Sequence, residues 1–532
     1  RGLTMRHAAV RQVSKATTTP ASVRGLNAYD SIVAMPPGFA IVLRNLYAQP
    51  YGCQVRRGFR RHVVGLNGPV ETVASHNLGT DPKLYAFVQD DIEAVMFDVT
   101  TPNIAGVQKL AGLSNARWQH LNFSNPAGVN LVAVNGADPM IWVKPNSTIQ
   151  QIASGDGSIN TIAGVDPAAL IHVEAHQKRL WFVEKGTLRG WYLPPEQLYG
   201  IASPFDFSSY ASRGGDLVQI ITWTVDGGDG SDDHLVAITS EGQALVYRGT
   251  DPDGADTWGL VGVYYCGAPI GQRPACRSAG DVMILTVGGV VYLSDLLKND
   301  GVNPLEGKAK YIQQLISVAA SAANDLFGWQ PFIFPSANMV MVNIPATETT
   351  SFQFALNDIT KAWSEFIGYQ ANCWELHKQL PFYGGFGAVY RAWEGTTDDA
   401  ILVDGVVTEG EDIRFEAQTT FDYFQSLGRQ KHYKMCRPTI MSRGKFALSV
   451  AVNVDFVFDT PLAPTSFTSN KPGKWDEDYW DQATWEGGLN TYKNWQSVVG
   501  IGTAGSLRIL GRSGQETYWP SVDWLYEEGG VM

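Results

Sequence analysis

Short apolar runs, each followed by a polar turn and a second apolar run, recur through the middle of the chain. Corresponding positions are separated by 47, 49, 55, 47, 58 and 49 residues, at Leu84, Leu131, Leu180, Leu235, Val282, Val340 and Val389. A hairpin that repeats about every 50 residues has the size of a four-stranded propeller blade. One blade cannot bury both of its faces, so blades pack in a ring. The pattern predicts a mainly β chain with few helices and a β-propeller of about six to eight blades.

Two other all-β architectures also repeat hairpins, a pair of β-sandwiches and a β-solenoid. Solenoid repeats are shorter and more regular than these. Two sandwiches should be joined by a linker near the middle of the chain, and the sequence has none there. The propeller is therefore the favoured interpretation, and both alternatives stay open.

The repeat is interrupted by one helical pattern and ends near residue 406. The segment KYIQQLISVAASAANDLFG has an apolar face and a stop at Gly328; the face consists of Ile312, Leu315, Ile316, Ala319 and Ala323. After 406, DIRFEAQTTFDYF and FALSVAVNVDFVF are typical of strands without blade spacing. We divide the chain into a basic arm (1–24), a β segment belonging to a platform (25–80), the propeller (81–405) and a C-terminal β platform domain with a Trp-rich tail (406–532).

Charge is unevenly distributed along the chain. Residues 1–62 contain ten Lys or Arg and one acid, a net charge of +9, whereas 63–532 contain 30 bases and 51 acids, a net charge of −21; the sum is −12. This asymmetry predicts a basic arm that meets an acidic or phosphate-bearing surface, the alternative being a solvated tail.

The cysteine pattern and the hydropathy of the chain indicate the compartment in which the protein assembles. The five cysteines are odd in number and form no C-x-x-C pair, which argues against a disulfide framework or a zinc ribbon and favours assembly in a reducing cytoplasm. No uninterrupted apolar run reaches about 18 residues, so we expect no insertion into a membrane.

The motifs that could carry chemistry are weak. His172 and His176 share one face of a predicted strand around Glu174, but no third metal ligand lies nearby in the sequence. The segment TDPDGADTW approaches the Asp box of sialidase-type propellers, with Pro252 where the Asp belongs and Trp258 one residue late. We therefore predict no enzymatic activity, no catalytic or metal-binding residues and no cofactor.

An aromatic and acidic segment, WDEDYWDQATW, lies in the Trp-rich tail. Its tryptophans are Trp475, Trp480 and Trp485, and Asp476 and Asp481 lie among them. The combination is found in sugar-binding platforms and, more often, in protein contacts anchored by aromatic side chains. We interpret the three tryptophans as candidate contacts with another subunit or protein.

Four long segments together resemble one known family. They are GLNAYDSIVAMPPGFAIVLRNLYAQPYGCQVRRGF, the region TWTVDGGDGSDDHLVAITSEGQALVYRGTDP with GVYYCGAPIGQRPACRSAGDVMILTVGGVVYLS, TKAWSEFIGYQANCWELHKQLPFYGGFGAVYRAW, and the ending WLYEEGG. The chain resembles the tail nozzle proteins of short-tailed bacteriophages, also described as tail tubular protein B or packaged-DNA stabilisation and head–tail connector proteins. The similarity covers nearly the whole chain from about residue 25.

This resemblance implies a structural protein of the virion tail, made in the host cytoplasm. Members of the family form a hexameric ring below the portal and adaptor, and each subunit carries a β-propeller beside a channel-forming platform. The implied partners are further copies of the chain, the adaptor, tail fibre or other tail proteins, and double-stranded DNA that passes without sequence specificity. The ring extends the DNA exit channel, retains the packaged genome and passes it during ejection.

Two other hypotheses compete with the nozzle. One is a propeller-type tail protein that binds or depolymerises polysaccharide. The other is direct DNA binding through Arg56, Arg57, Arg60 and Arg61 in VRRGFRRH. In a strand, Arg56 and Arg60 would share one face while Arg57 and Arg61 take the other, which favours contacts on two sides, with a neighbouring subunit or the adaptor, over a single phosphate-binding surface.

Overall fold

A computed structural model describes residues 14–103, 105–226, 231–254, 256–278, 280–298, 307, 309–403, 406–407, 410–444, 446–459, 465–466 and 489–531. The chain divides into two compact units. The terminal unit comprises Arg1–Arg57, Thr360–Glu365 and Glu411–Met532, and the propeller unit comprises Gly58–Ile359 and Phe366–Gly410.

Strands make up most of the described residues. In chain order they are β1 (Ser14–Pro20), β2 (Gly25–Leu26), β3 (Phe39–Arg44), β4 (Leu46–Gln49), β5 (Gly52–Val55), β6 (Phe59–His76), β7 (Lys83–Gln89), β8 (Ala94–Asp98), β9 (Val107–Leu113), β10 (Gln119–Asn125), β11 (Gly128–Val134), β12 (Met140–Val143), β13 (Ile149–Ser154), β14 (Thr161–Ala163), β15 (Leu170–His176), β16 (Arg179–Glu184), β17 (Arg189–Tyr192), β18 (Gly200–Ile201), β19 (Ser203–Asp206), β20 (Leu217–Asp226), β21 (Ser231–Thr239) and β22 (Gln243–Gly249). They continue with β23 (Trp258–Tyr265), β24 (Ala275–Ser278), β25 (Asp281–Thr286), β26 (Gly289–Tyr292), β27 (Gln330–Phe334), β28 (Met339–Pro345), β29 (Ser351–Asn357), β30 (Ala362–Ile367), β31 (Cys373–His377), β32 (Leu380–Gly384), β33 (Phe386–Ala392), β34 (Thr397–Asp398), β35 (Leu402–Val403), β36 (Val406–Val407), β37 (Glu411–Thr419), β38 (Arg429–Ser442), β39 (Phe446–Val454), β40 (Thr465–Ser466), β41 (Asn490–Lys493), β42 (Gln496–Gly502), β43 (Gly505–Ser513) and β44 (Thr517–Val531). The helices are α1 (Leu293–Lys298) and α2 (Gln313–Ala323), with 3-10 turns at Pro167–Ala169 and Pro335–Ala337.

The propeller unit is a closed ring of seven blades. Blade 1 contains β6–β9, blade 2 β10–β13, blade 3 β15–β17 and β19, blade 4 β20–β23, blade 5 β24–β26, blade 6 β27–β29, and blade 7 β31–β33 with β6. The first strand of each blade contacts the first strand of the next, in the order β6, β10, β15, β20, β24, β27, β31 and again β6. This cyclic order confirms the predicted propeller.

One long strand closes the ring. The first part of β6 pairs with β33, where Val63 lies opposite Val389, and the last part pairs with β7, where Ser75 lies opposite Leu84. The two parts are separated by Gly65 and Gly68, which have φ values of 79° and 127°. Strand β6 is therefore both the outermost strand of blade 7 and the innermost strand of blade 1.

Apolar residues between blades form the core of the ring. Successive clusters of buried side chains link blade 1 to blade 2, blade 2 to blade 3, blade 3 to blade 4 and blade 4 to blade 5. All seven positions that marked the repeat are buried. Six of them lie on the second strand of a blade and the seventh, Val389, lies on the third strand of blade 7.

The predicted helix is confirmed and belongs to blade 5. Helix α2 buries Ile316, Ala320 and Ala323 and packs on β26. Among the described residues, blade 5 has three strands, and α1 and α2 pack where the fourth strand of a blade would lie.

The terminal unit consists of two β-sheets. One has the order β4–β5–β44–β38, with β1 also beside β44 and with β41 and β42 beside β38; the other has β2–β3–β37–β43–β39–β40, with β30 beside β3. The sheets pack together where β39 contacts β42. Lys431 is buried in this unit, and its ammonium group donates hydrogen bonds to the carbonyls of Ser426 (2.7 Å) and Thr503 (2.8 Å).

Strand pairing places two segments differently from the sequence-based division. Strand β6 lies in the propeller unit, so that unit begins at Gly58 instead of at residue 81. Part of the basic arm is strand β1, in which Lys15 bonds Glu528 at 2.7 Å and Thr18 bonds Asp523 at 2.6 Å. Because β1 pairs along β44, the described part of the arm is an edge strand of the chain's own sheet.

Candidate functional site

The innermost strands of the propeller surround a central tunnel and are joined by polar side chains. At the start of blade 4, the amide of Gln219 donates to the carbonyl of Ala275 (3.1 Å) and accepts from its N–H (2.9 Å). At the start of blade 6, Gln330 makes the same pair of bonds with Trp374 (3.0 Å each). Each glutamine thus bonds the backbone of the next blade as a neighbouring strand would, which fixes the spacing of adjacent blades.

Arg273, two residues before the start of β24 in blade 5, extends into the tunnel. Its Nη2 donates to Thr72 Oγ1 of blade 1 (2.8 Å) and to the carbonyl of Trp118 (2.9 Å), next to blade 2. Its Nε donates to Gln119 Oε1 (3.3 Å) and its Nη1 to Gln330 Oε1 (3.5 Å). Since a planar guanidinium offers five donors in a fixed fork, this one side chain links blades 1, 2 and 6 to its own.

Two further pairs of side chains connect blades across the tunnel. His120 Nε2 of blade 2 lies 3.2 Å from Glu375 of blade 7. Glu174 of blade 3 bonds Arg277 of blade 5. Burial raises the pKa of Glu174 to about 7, and the charge of Arg277 opposes this rise. With Arg273, these side chains occupy the tunnel of a single propeller with polar contacts between blades.

The two histidines that were considered as metal ligands lie in the interior of the propeller. His172 and His176 are both buried, and burial lowers the pKa of His172 to about 3 and of His176 to about 4. His176 Nδ1 lies 3.3 Å from Thr222 Oγ1 of blade 4. Across the part of the chain that the structure describes, no group of three His, Cys, Asp or Glu side chains could hold a metal ion.

The four arginines of the opening stretch are separated by the fold. Arg56 is buried, and its Nε donates to Asn45 Oδ1 at 2.9 Å. Arg57 is exposed. Arg60 is buried against Glu394 (2.6 Å), whereas the half-exposed Arg61 makes two bonds to Asp399 (2.7 and 2.6 Å). Arg56, Arg60 and Arg61 each bond groups of their own unit.

Trp475, Trp480 and Trp485 lie outside the described residues, as do Asp476 and Asp481. The described helices include none that is long and apolar enough to cross a membrane. The five cysteines are free thiols. Burial raises the pKa of Cys53 to about 12 and that of Cys373 to about 11, so these two thiols are poorly suited to form a reactive thiolate at neutral pH.

The terminal unit exposes apolar side chains on one strand. In β42, alternate residues are buried, and the other face presents Val499, 85% exposed, and Ile501, 60% exposed. Among the described strands, β42 pairs only with β38, so it is an edge strand. Val457 and Phe458, just beyond β39, are also more than half exposed. An exposed apolar face on an edge strand is typical of a surface that contacts another protein.

Neither the tunnel arginine nor the exposed strand could be identified from the sequence. Arg273 stands in GQRPAC, where no local pattern distinguishes a tunnel arginine from a surface arginine. Val499 and Ile501 stand in QSVVGIGTAG, whose alternation predicts a strand but not which face is covered. The alternation of side chains in that segment was the one feature of the sequence that indicated the exposed strand.

Comparisons with known proteins give structural neighbours only. No protein-family model matches the chain, and no curated protein matches its sequence. A structure of BBS1N in complex with ARL6DN is 9% identical over 63% of this chain and 97% of that one, with a TM-score of 0.37. Saccharomyces cerevisiae Sqt1 is 10% identical over 68% and 96% of the two chains, with a TM-score of 0.37. PorZ of Porphyromonas gingivalis is 12% identical over 71% and 44%, with a TM-score of 0.35.

Proposed function

We propose that the protein is a structural component of a short-tailed phage virion, in which copies of the chain form the tail nozzle ring. The ring would extend the DNA exit channel below portal and adaptor, retain the packaged genome and pass it during ejection. The family and the hexameric state rest on the resemblance of the four segments quoted above. The structural observation that carries the proposal is the exposed apolar face of β42.

The β42 face supports self-association of the chain. Val499 and Ile501 leave apolar surface in water, and covering it with another protein is favourable by roughly 25 cal/mol per Å² of apolar area. The strand edge also offers unpaired backbone groups to a neighbouring molecule. A ring of identical subunits covers such a surface once per subunit, and each copy supplies the covering partner.

The closed tunnel supports a DNA path enclosed by several copies of the chain. Arg273, the pair of Glu174 with Arg277 and the pair of His120 with Glu375 connect blades across the tunnel. A duplex could not pass through one propeller without breaking these contacts. A channel for DNA therefore requires a lumen between subunits, as in a ring.

Charge supports transit of DNA without tight binding. Residues 63–532 carry a net charge of −21, and Arg60 and Arg61 are paired with Glu394 and Asp399. Tight, salt-dependent binding of DNA requires cations that are available to phosphates. A channel wall with the same negative charge as the phosphates lets the duplex slide without binding tightly.

Locating the protein in intact virions tests this proposed function. Antibodies raised against the purified chain are used to label intact particles for electron microscopy. We expect the label at the tail, below the portal. Label on the capsid surface alone, or absence of the chain from purified particles, contradicts the proposal.

A further inference from the structure

Two neighbouring cavities open at one end of the propeller tunnel and share Arg117 and Gln272. The larger has a volume of about 430 Å³ and is also lined by Lys185, Gln89 and Asn115. The smaller, about 200 Å³, is also lined by Arg273, Phe327, Asn324 and Asn372. Arg117 therefore stands between two halves of one recess, which we name the tunnel mouth.

Arg117 is held in place but retains a free edge. Its Nε and Nη2 bond the carboxylate of Glu71 at 3.0 to 3.1 Å. Its guanidinium carbon lies 4.7 Å from the centre of the Phe327 ring. The side chain is still 44% exposed, and its Nη1 has no hydrogen-bond partner among the described residues.

The tunnel mouth carries an excess of positive charge in an otherwise acidic part of the chain. Lys185 is exposed and makes only a long bond of 3.4 Å, to the carbonyl of Gly136. Arg273 bonds neutral oxygen atoms and no carboxylate. Against these cations and Arg117, the carboxylates that line the cavities are Glu71 and Asp325. The balance favours an anionic ligand.

The lining favours a peptide over a sugar or a phosphate. Amide side chains can pair with peptide N–H and C=O groups, and neither the Gln272 nor the Asn324 side chain forms a hydrogen bond with another of the described residues. The Phe327 ring, which could stack on a sugar, is covered by Arg117. Glu71 occupies one edge of Arg117, which leaves a single edge for a carboxylate, and the two joined cavities suit an extended ligand.

We propose that the tunnel mouth binds an acidic peptide segment of a partner protein. A Glu or Asp side chain bonds the free edge of Arg117 and is attracted by Lys185, while the peptide backbone bonds Gln272 and neighbouring amides. Recognition of acidic motifs by cationic side chains is a common mode of peptide binding. This site is separate from the β42 face, so neither proposal depends on the other.

The test measures binding of a fluorescein-labelled (Gly-Glu)3 peptide to the full chain by fluorescence anisotropy at low salt. We expect saturable binding that weakens as salt is added and that (Gly-Lys)3 does not show. Lys185→Gln should weaken binding about fivefold, the loss of one charged contact. Lys178→Gln, at an exposed lysine in the β15–β16 turn of the same blade, should leave binding unchanged.

Arg117→Gln should abolish measurable binding, and its thermal unfolding is recorded because Glu71 loses its partner. If that variant unfolds early, Gln272→Ala, at an exposed residue, replaces it and should weaken binding. The proposal is overturned if (Gly-Glu)3 does not bind, if Lys178→Gln and Lys185→Gln act alike, or if trigalacturonic acid binds more tightly than the peptide. The last result would identify an acidic-saccharide site.

Discussion

Five histidines of the propeller unit, at positions 62, 76, 172, 176 and 377, are buried. Burial lowers the imidazole pKa to about 3 for His172 and to about 4 for His62, His176 and His377. It also lowers the pKa of His76. In the unfolded chain an imidazole titrates near pH 6.5. Between about pH 6.5 and 4 the unfolded state therefore binds protons that the folded state does not, and the free energy of unfolding falls as the pH falls.

One buried carboxyl group opposes this trend. Since the pKa of Glu174 is raised to about 7, the folded state holds a proton there that the unfolded state loses above about pH 4.5. That group alone stabilises the fold as the pH falls from about 7 to 4.5. With five imidazoles against one carboxyl group, we expect net loss of stability in acid.

Replacing His172 by leucine should reduce the acid sensitivity of the propeller. Leucine removes one imidazole that cannot take a proton while it is buried. The slope of unfolding free energy against pH between about 4 and 6 should fall by nearly one proton, about 1.4 kcal/mol per pH unit. Urea unfolding at several pH values measures it, and an unchanged slope would show that His172 is not buried as a neutral group.

At the scale of elements, the apolar repeat predicted the blades better than it predicted their boundaries. The second strand of a blade is buried on both faces, so its continuous apolar run is visible in the sequence. Strand β6 reads FRRHVVGLNGPVETVASH, with Gly65, Gly68 and Pro69 in the middle. These residues are typical of a loop, which is why the sequence-based boundary fell after the strand that closes the ring.

Gly68 is required where β6 passes from blade 7 to blade 1. Its φ is 127°, and a Cβ atom there would lie 1.9 Å from the carbonyl oxygen of Gln89. Gly68→Ala should therefore destabilise the propeller by more than about 2 kcal/mol, since backbone must shift. Gly65→Ala is the matched control, because its φ is 79° but a Cβ would meet open space, so we expect about 1 kcal/mol there.

Urea unfolding of both glycine variants, followed by tryptophan fluorescence, compares the two positions. Equal losses at Gly68 and Gly65 would mean that the close approach to Gln89 is not what fixes the passage between blades. A larger loss at Gly65 would contradict the account of ring closure directly.

The site was less predictable than the fold because it depends on residues brought together from distant parts of the chain. Arg273 and its partner Thr72 are 201 positions apart, and no local motif marks them. The opening arginines were visible as a charged run, yet the partners of Arg60 and Arg61 lie more than 330 residues away. The alternation of side chains along a strand predicted that Arg60 and Arg61 lie on opposite faces. Their partners, Glu394 and Asp399, could be identified only from the fold.

At the scale of the whole molecule, the exposed β42 face should control assembly. The double variant Val499→Asp with Ile501→Asp places two charges on that face without disturbing the buried face of the strand, so the monomer should fold normally. We expect it to remain monomeric by mass photometry at concentrations where the unaltered chain assembles. Ile92→Asp is the control, since Ile92 is 92% exposed at a hairpin turn and should leave assembly intact.

Normal assembly of the Val499→Asp and Ile501→Asp variant would show that subunits meet through another surface. Loss of assembly in Ile92→Asp would show a general effect of added charge. Circular dichroism of each variant separates failure to assemble from failure to fold.

Cryo-electron microscopy of the purified chain tests whether its copies form a ring around a DNA channel. We expect closed rings of six copies around a common lumen, with each copy carrying a seven-bladed propeller whose own tunnel is filled by side chains. A chain that remains monomeric at every concentration and salt condition, or an assembly with no lumen wide enough for duplex DNA, would contradict it.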